Sequence, residues 1–169
     1  MLKFLVIFIM LTSSVFAKTS TPRDTMKTFL KTMVLIKSQS INNDELYNTV
    51  LTTLNLASFN SNIKSTVGKK YANQLIFIFD RIEKIKYESI PLNIESSYWL
   101  YDKRHIDGSA VEISMKKISG NWKFSKATLD SLSKYTQIYK DKKVVSSIVK
   151  NLVQSKFRSN LPVFFQKKT

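Results

Sequence analysis

The 169-residue chain contains no cysteine, one histidine and only three glycines, and each scarcity removes a class of chemistry. Without cysteine no disulfide can form, so stability has to come from packing. His105 with scattered carboxylates matches no metal-ligand spacing and offers no nucleophile with a convergent base. Gly68, Gly108 and Gly120 lie too far apart to form a phosphate-binding loop. The sequence therefore predicts a non-enzymatic protein without metal or cofactor.

Long apolar runs are also lacking, apart from one short stretch from Phe4 to Leu11. It follows a positive charge and precedes Val15 and Ala17, small residues at the two positions that a signal peptidase reads. It is shorter than the roughly 20 residues that a membrane span needs. The pattern predicts a signal peptide over residues 1–17, cleaved after Ala17, and a periplasmic or secreted mature chain. An uncleaved N-terminal anchor is the alternative.

Acidic residues are few, 12 against 27 basic ones, which gives a formal net charge of +15. The surplus is largest at the C-terminal end, where nine basic residues from Lys134 onward are opposed only by Asp141. Such an end suits an anionic membrane surface or another polyanion. A lysine-rich composition without a function is the alternative. Nucleic acid is disfavoured as a partner because the chain carries an export signal.

The N-terminal half of the mature chain has a helical pattern. Thr21 is placed to cap a first helix, with Pro22 at its first position and Asp24 near its positive end. Apolar residues then recur at steps of three and four. We expect three helices, the first ending near Ser38, the second capped by Asn42 or Asn43 and carrying Leu46, Val50 and Leu54, and the third with an apolar stripe from Tyr71 to about Lys86, including Ile85.

After Pro91 the period changes from near four to two. Strands are indicated at Tyr98 to Lys103, around Val111 to Met115 and at Trp122 to Phe124, separated by turns at Asp107-Gly108 and at residues 119–121. They predict a three-stranded antiparallel meander. Two C-terminal helices follow, one carrying Leu129, Leu132 and Tyr135, the other carrying Val145, Ile148 and Leu152. The fold class is α+β, and this order is compatible with a cystatin-like cone. We expect a single domain over residues 18–158 and a basic aromatic tail over residues 159–169.

Aromatic residues on the strands and the third helix are candidates for a ligand pocket, since a sheet that curls around helices can leave an apolar cavity. The alternatives are a base-stacking platform and an ordinary core. Trp122 and Phe124 are expected to be core, packed against the helix that carries Leu75 and Phe79. The pocket candidates are Trp99, Tyr101, Trp122, Phe124, Tyr71 and Phe79.

The C-terminal residues combine lysines with phenylalanines, a combination found at membrane interfaces. The alternative is that the phenylalanines fold back onto the domain. The candidates for membrane or polyanion contact are Lys142, Lys143, Lys150, Lys156, Arg158, Phe164, Phe165, Lys167 and Lys168.

Over roughly residues 20–140 the chain resembles the soluble N-terminal extracytoplasmic region of some bacterial small-conductance mechanosensitive channel proteins. The residues that carry the resemblance are Thr21-Pro22-Arg23, Thr25, Phe29-Leu30, Tyr71-Ala72, Gln74-Leu75, Asp80-Arg81, Gly120, Trp122, Phe124-Ser125, Thr128, Tyr135 and Tyr139. No pore segment follows in this sequence, so the resemblance implies a detached periplasmic module and supplies no catalytic residue. The expected function is an exported accessory or binding domain that contacts a membrane protein or a membrane surface. The alternative is a periplasmic carrier of an apolar small molecule or lipid.

Overall fold

Four α-helices and a three-stranded antiparallel sheet make up the part of the chain that the computed structural model describes, residues 18–39, 44–82 and 85–145. The predicted α+β class is confirmed. In chain order the elements are α1 (Pro22–Gln39), α2 (Asp44–Thr52), α3 (Ser61–Ile82), a short 3-10 helix (Tyr87–Ser89), β1 (Tyr98–Ile106), β2 (Ser109–Ile118), β3 (Asn121–Phe124) and α4 (Lys126–Tyr139).

The described residues contain four α-helices where the sequence predicted five. The second C-terminal helix was expected mainly beyond Val145, and those residues lie outside the described ones, as do residues 1–17 and the tail. The predicted boundaries of the third helix were wrong. It begins at Ser61, ten residues before Tyr71, because its first half is mostly polar and has no apolar stripe. Ile85 lies outside the helix, and Leu54 lies outside α2.

Two helices begin at polar caps that can be recognised in the sequence. The hydroxyl of Thr21 accepts a hydrogen bond from the backbone N–H of Asp24 at 3.0 Å, and Pro22 is the first residue of α1, as predicted. The hydroxyl of Ser125 accepts from the backbone N–H of Thr128 at 3.0 Å at the start of α4. Each cap satisfies one of the backbone donors that a helix leaves unpaired at its first turn.

Two tight turns set the register of the sheet. Asp107 and Gly108 have φ values of 47° and 72°, and Ser119 and Gly120 have φ values of 48° and 81°. Positive φ at both central residues is the hairpin geometry whose twist matches that of the flanking strands. The second turn pairs Met115 of β2 with Phe124 of β3. The predicted meander is therefore present. The first turn is at the predicted position, and the second is one residue shorter than predicted, since Asn121 already belongs to β3.

The core lies between the inner face of the sheet and helices α1 and α3. Trp122 and Phe124 are 3% and 0% exposed, which confirms the prediction that both are buried. The Phe124 ring lies 5.3 Å from that of Phe29 in α1 and 6.0 Å from that of Phe79 in α3, centre to centre. These rings meet edge-on or tilted, which is the favourable geometry for aromatic pairs. Phe124 thus joins the sheet to both helices through direct ring contacts.

Two edges of the sheet are covered by other parts of the chain. The outer edge of β3 bonds to residues 19 and 53–55: the N–H of Trp122 donates to the carbonyl of Thr19 at 2.7 Å, and the N–H of Phe124 to the carbonyl of Thr53 at 2.8 Å. Where β2 extends beyond the shorter β3, α4 supplies hydroxyls instead. The N–H of Ser114 donates to Thr128 Oγ1 at 2.7 Å, and this closes backbone groups that would otherwise be buried without partners.

Candidate ligand-binding groove

Four of the six predicted pocket aromatics form a chain of touching rings within the fold. Phe79 lies 6.0 Å from Phe124 and 5.6 Å from Tyr101, and Tyr101 lies 5.9 Å from Trp99, centre to centre. Phe79 and Phe124 are fully buried, while Trp99 and Tyr101 are partly buried. These rings pack against one another and contribute to the core.

The other two candidates lie elsewhere. Tyr71 is two helical turns from Phe79 in α3, and its ring lies 5.8 Å from that of Phe59. Trp122 lines a separate cleft of about 400 Å³ at the end of the sheet, together with Leu92, Lys117 and neighbouring residues. The structure therefore does not bring the six aromatics together at one site.

A different groove lies where α2, the start of α3 and the ends of β2 and β3 meet. It has a volume of about 370 Å³ and a mostly apolar lining without any carboxylate. Its size falls at the lower end of the range of pockets for small molecules, roughly 300–1,000 Å³. The lining residues are Asn48, Leu51, Thr52, Leu54, Asn55, Leu56, Ala57, Lys64, Ile118 and Lys123.

Two contacts hold the walls of the groove in place. The loop after α2 is fastened to the sheet, because the N–H of Asn55 donates to the carbonyl of Phe124 at 3.0 Å and Leu54 forms an isolated bridge with Phe124. On the other side, Gly68 lets α3 approach α2 closely. A Cβ at this position would lie 2.2 Å from a methyl carbon of Leu51 and 2.8 Å from one of Leu56. The absence of a side chain at residue 68 thus leaves room for two leucines of the groove.

Three lysines form what we call the basic rim: Lys64, Lys116 and Lys123. Lys64 and Lys123 line the groove, and Lys116 is the cross-strand partner of Lys123. Like charges directly opposite each other on a sheet are destabilising. Within the described part of the chain none of the three forms an ion pair. The rim is therefore a local excess of positive charge beside an apolar groove.

The only carboxylate of β2 is already engaged by hydroxyl groups. Glu112 Oε1 accepts hydrogen bonds from the hydroxyl of Tyr98 at 3.0 Å and from that of Ser114 at 2.7 Å. Hydrogen bonding to two donors holds this carboxylate in place. Among the described residues, no ion pair joins Glu112 to a lysine of the basic rim.

A second polar cluster joins α4 to β1. The hydroxyl of Tyr135, which is fully buried, donates to Asp102 Oδ2 at 2.6 Å, and Arg104 Nε donates to the same oxygen at 2.9 Å. Burial, and secondly the hydrogen bond to Asp102, raises the pKa of Tyr135. The hydrogen bond to Asp102 raises the pKa of Arg104. Tyr135 therefore stays protonated, and its hydrogen bond to Asp102 links α4 to β1.

The remaining predicted site residues lie at the surface or beyond the described part. Lys142 and Lys143 are exposed after the end of α4. The other membrane-contact candidates lie outside the described residues: Lys150, Lys156, Arg158, Phe164, Phe165, Lys167 and Lys168. His105 is exposed near the end of β1.

Among residues 18–39, 44–82 and 85–145, no group of three or more potential ligands could hold a metal ion. None of the helices described is both long and apolar enough to cross a membrane.

Comparison with known proteins gives no match: no family model, no curated protein and no solved structure is similar to this chain. The resemblance to the channel-family region therefore stays a prediction from the residues that carry it.

The sequence analysis did not identify the groove, although one signal for its rim was present. A two-residue turn at Ser119-Gly120 requires residues equally distant from it to pair, so Lys116 must face Lys123. The apolar wall of the groove could not be predicted from a turn, because Leu54 and Leu56 are placed in it by contacts with residues distant in the sequence.

Proposed function

We propose that the chain is an exported, non-enzymatic binding protein that holds an anionic amphiphile, with the apolar tail in the groove and the acidic head group on the basic rim. The observation that carries this proposal is the pairing of Lys116 with Lys123 beside an apolar groove whose lining has no carboxylate. An acidic head group would relieve the repulsion between the lysines. The apolar tail of the same ligand would be buried in the adjacent groove, out of contact with water.

The two parts of such a ligand would contribute differently. Each methylene buried in the groove contributes about 0.8 kcal/mol, so six would give about 5 kcal/mol. An exposed ion pair contributes only about 0.2–1 kcal/mol. The tail therefore supplies most of the affinity, and the lysines select an acid over a neutral amphiphile of equal length.

The setting of this activity follows from the sequence pattern. The N-terminal segment favours export, and the resemblance to a channel-family region favours a place beside a membrane protein, where anionic amphiphiles are at hand. A cystatin-like cone is the frame we propose for the groove, with the sheet laid against α1 and α3. In this arrangement the groove opens at one end of the sheet, outside the aromatic core.

The experiment measures binding of three probes to the purified chain by isothermal titration calorimetry: dodecanoate, dodecanol and acetate. We expect dodecanoate to bind most tightly, dodecanol several-fold more weakly and acetate not measurably. Lys123→Gln should weaken dodecanoate binding about threefold, since an exposed ion pair is lost, and should leave dodecanol unaffected. Lys31→Gln removes an exposed lysine of α1 and serves as the matched control.

The wall of the groove is tested with Ile118→Ser, a substitution of a partly buried residue that should weaken both twelve-carbon probes. Equal binding of dodecanoate and dodecanol would leave an apolar carrier without a role for the lysines. No binding of either probe, or equal effects of Lys123→Gln and Lys31→Gln, would refute the proposal.

A further inference from the structure

The cleft at the end of the sheet, which we call the end cleft, is separate from the groove and has a volume of about 400 Å³. Three parts of the chain form its walls: the segment before α1, the loop between the 3-10 helix and β1, and the adjoining ends of β2 and β3. None of its lining residues lines the groove. Its lining includes Ser20, Leu92, Ile94, Glu95, Lys117 and Trp122.

Backbone carbonyls at both ends of the loop hold the walls of the end cleft in place. At one end, the N–H of Lys117 in β2 donates to the carbonyl of Ser97 at 2.8 Å. At the other end, Arg23 of α1 donates to the carbonyls of Ile90 and Glu88 at 2.7 and 3.0 Å. Because the loop is fastened to both β2 and α1, the cleft is formed before any ligand binds. A preformed site loses less conformational freedom on binding than one that must be ordered.

Trp122 brings a free hydrogen-bond donor to this cleft. The residue is 3% exposed, and its indole N–H has no hydrogen-bond partner among the described residues. A buried tryptophan usually satisfies this group. In the described part, only Arg81 Nε and the hydroxyl of Thr136 are fully buried without a partner, so the N–H of Trp122 is reached by solvent. It is therefore available to an acceptor that enters the cleft.

One positive and one negative side chain complete the polar lining. Lys117 is the cross-strand partner of Trp122, so the two side chains leave the sheet side by side on the same face. Glu95 is the only carboxylate of the lining. Both charged residues are exposed, and within the described part neither forms an ion pair. The end cleft thus offers a cation beside a neutral donor, and an anion that does not neutralise the cation.

We propose that the end cleft binds a small zwitterion with an apolar side group, the chemistry shared by a free aliphatic amino acid and an aliphatic dipeptide. The carboxylate of the ligand accepts from the ammonium of Lys117 and from the indole N–H of Trp122, and its ammonium group donates to Glu95. Its apolar side group packs on Leu92, which is 49% exposed, and on Ile94. This ligand and this site are independent of the amphiphile proposed for the groove.

The two charges of the end cleft select a zwitterion over a ligand of one sign. A simple anion at Lys117 would be repelled by Glu95, and a simple cation at Glu95 would be repelled by Lys117. A zwitterion gives each of its charged groups a partner of opposite charge, so that neither group loses its water without compensation.

The test follows the two indole N–H signals of the chain, from Trp99 and Trp122, by proton–nitrogen correlation NMR spectroscopy. The probes are leucine, dileucine, N-acetylleucine, which lacks the ammonium group, and leucinamide, which lacks the carboxylate. We expect leucine or dileucine to shift the Trp122 signal and each blocked compound to bind at least threefold more weakly. Tighter binding of leucine assigns the site to a free amino acid, and tighter binding of dileucine assigns it to a dipeptide.

Three substitutions test the groups that contact the ligand. Lys117→Gln and Glu95→Gln change exposed side chains and should each weaken binding about threefold. Trp122→Phe keeps an aromatic ring, removes the donor and identifies the Trp122 signal. It should weaken binding about tenfold, because a hydrogen bond to a charged group is stronger than a neutral one. Lys31→Gln and Glu88→Gln make the same changes of charge at exposed positions outside the cleft and should have no effect.

Three results would overturn the proposal. The first is a Trp122 signal that neither leucine nor dileucine shifts at millimolar concentration. The second is equal binding of the blocked and the unblocked compounds. The third is an equal effect of Lys117→Gln and Lys31→Gln, or of Glu95→Gln and Glu88→Gln. If Trp122→Phe does not fold, the two glutamine variants still decide the outcome, since both side chains are exposed.

Discussion

Two threonines of α4 allow a test of whether the hydroxyl of Thr128 satisfies the backbone of β2 where that strand extends beyond β3. Thr128 Oγ1 accepts from the N–H of Ser114 at 2.7 Å and donates to its carbonyl at 2.8 Å, and all of these atoms are buried. Thr136 lies two turns further along the same helix, and its buried hydroxyl has no hydrogen-bond partner among the described residues. Valine has nearly the shape of threonine and the same branching at Cβ. Thr128→Val and Thr136→Val therefore differ mainly in the hydrogen bonds removed.

Only Thr128→Val is expected to lower the free energy of unfolding. In Thr128→Val the carbonyl of Ser114 keeps a partner, because the N–H of Ser125 donates to it at 2.9 Å. The N–H of Ser114 keeps none, and an unsatisfied buried donor costs about 1–3 kcal/mol. In Thr136→Val an unpartnered hydroxyl is replaced by a methyl group. The free energy of unfolding should therefore stay the same or rise by up to about 1 kcal/mol.

Urea unfolding followed by circular dichroism, together with the melting temperature, gives both values. A loss of about 2 kcal/mol in Thr128→Val should lower the melting temperature by roughly 4–8 °C for a domain of this size. The slope of the urea transition should be unchanged if only stability is altered. A neutral Thr128→Val variant would show that its hydroxyl does not close the edge of β2. An equal loss in Thr136→Val would refute the assignment of its hydroxyl as unpartnered.

Two further predictions concern the chain's pH dependence and its N-terminus. Because burial and Asp102 raise the pKa of Tyr135, the folded chain keeps this proton at pH values where the unfolded chain loses it, near its ordinary pKa of about 10. Stability should therefore fall as the pH rises above about 10, and urea midpoints between pH 8 and 11 should fall less steeply in Tyr135→Phe; parallel curves would contradict this. Separately, cleavage after Ala17 predicts that mass spectrometry of the secreted protein finds Lys18 as its first residue. Intact protein recovered from the cytosol with Met1 in place would contradict export.

Much of the fold was predictable because its signals are local. The cap at Thr21, the turn at Asp107-Gly108 and the alternation from Val111 to Met115 each depend on residues a few positions apart. The start of α3 was missed for the converse reason. Its first turns are polar, and packing of the later turns holds them in the helix, so propensity and apolar spacing gave no indication.

The candidate sites were less predictable, since they depend on contacts between distant residues. Six aromatics were predicted as pocket candidates from their positions on the strands and the third helix. In the structure four of them form the ring chain around Phe79, and Tyr71 and Trp122 lie apart from it. A run of alternating residues tells which side chains share a face of a strand. It does not tell which helix covers that face, or how completely the space is filled.

The sequence by itself determined the α+β class, the cap at Thr21 and the places of the two hairpin turns. These follow from backbone geometry over a few residues, where each side chain has few alternatives. Only the tertiary structure decided that Leu54 bridges to Phe124 beside the groove and that the irregularity after Leu100 turns Asp102 toward Tyr135. Such contacts join residues far apart in the sequence; Asp102 and Tyr135, for example, are 33 positions apart. They form because many packing interactions act together, and no short stretch of sequence records them.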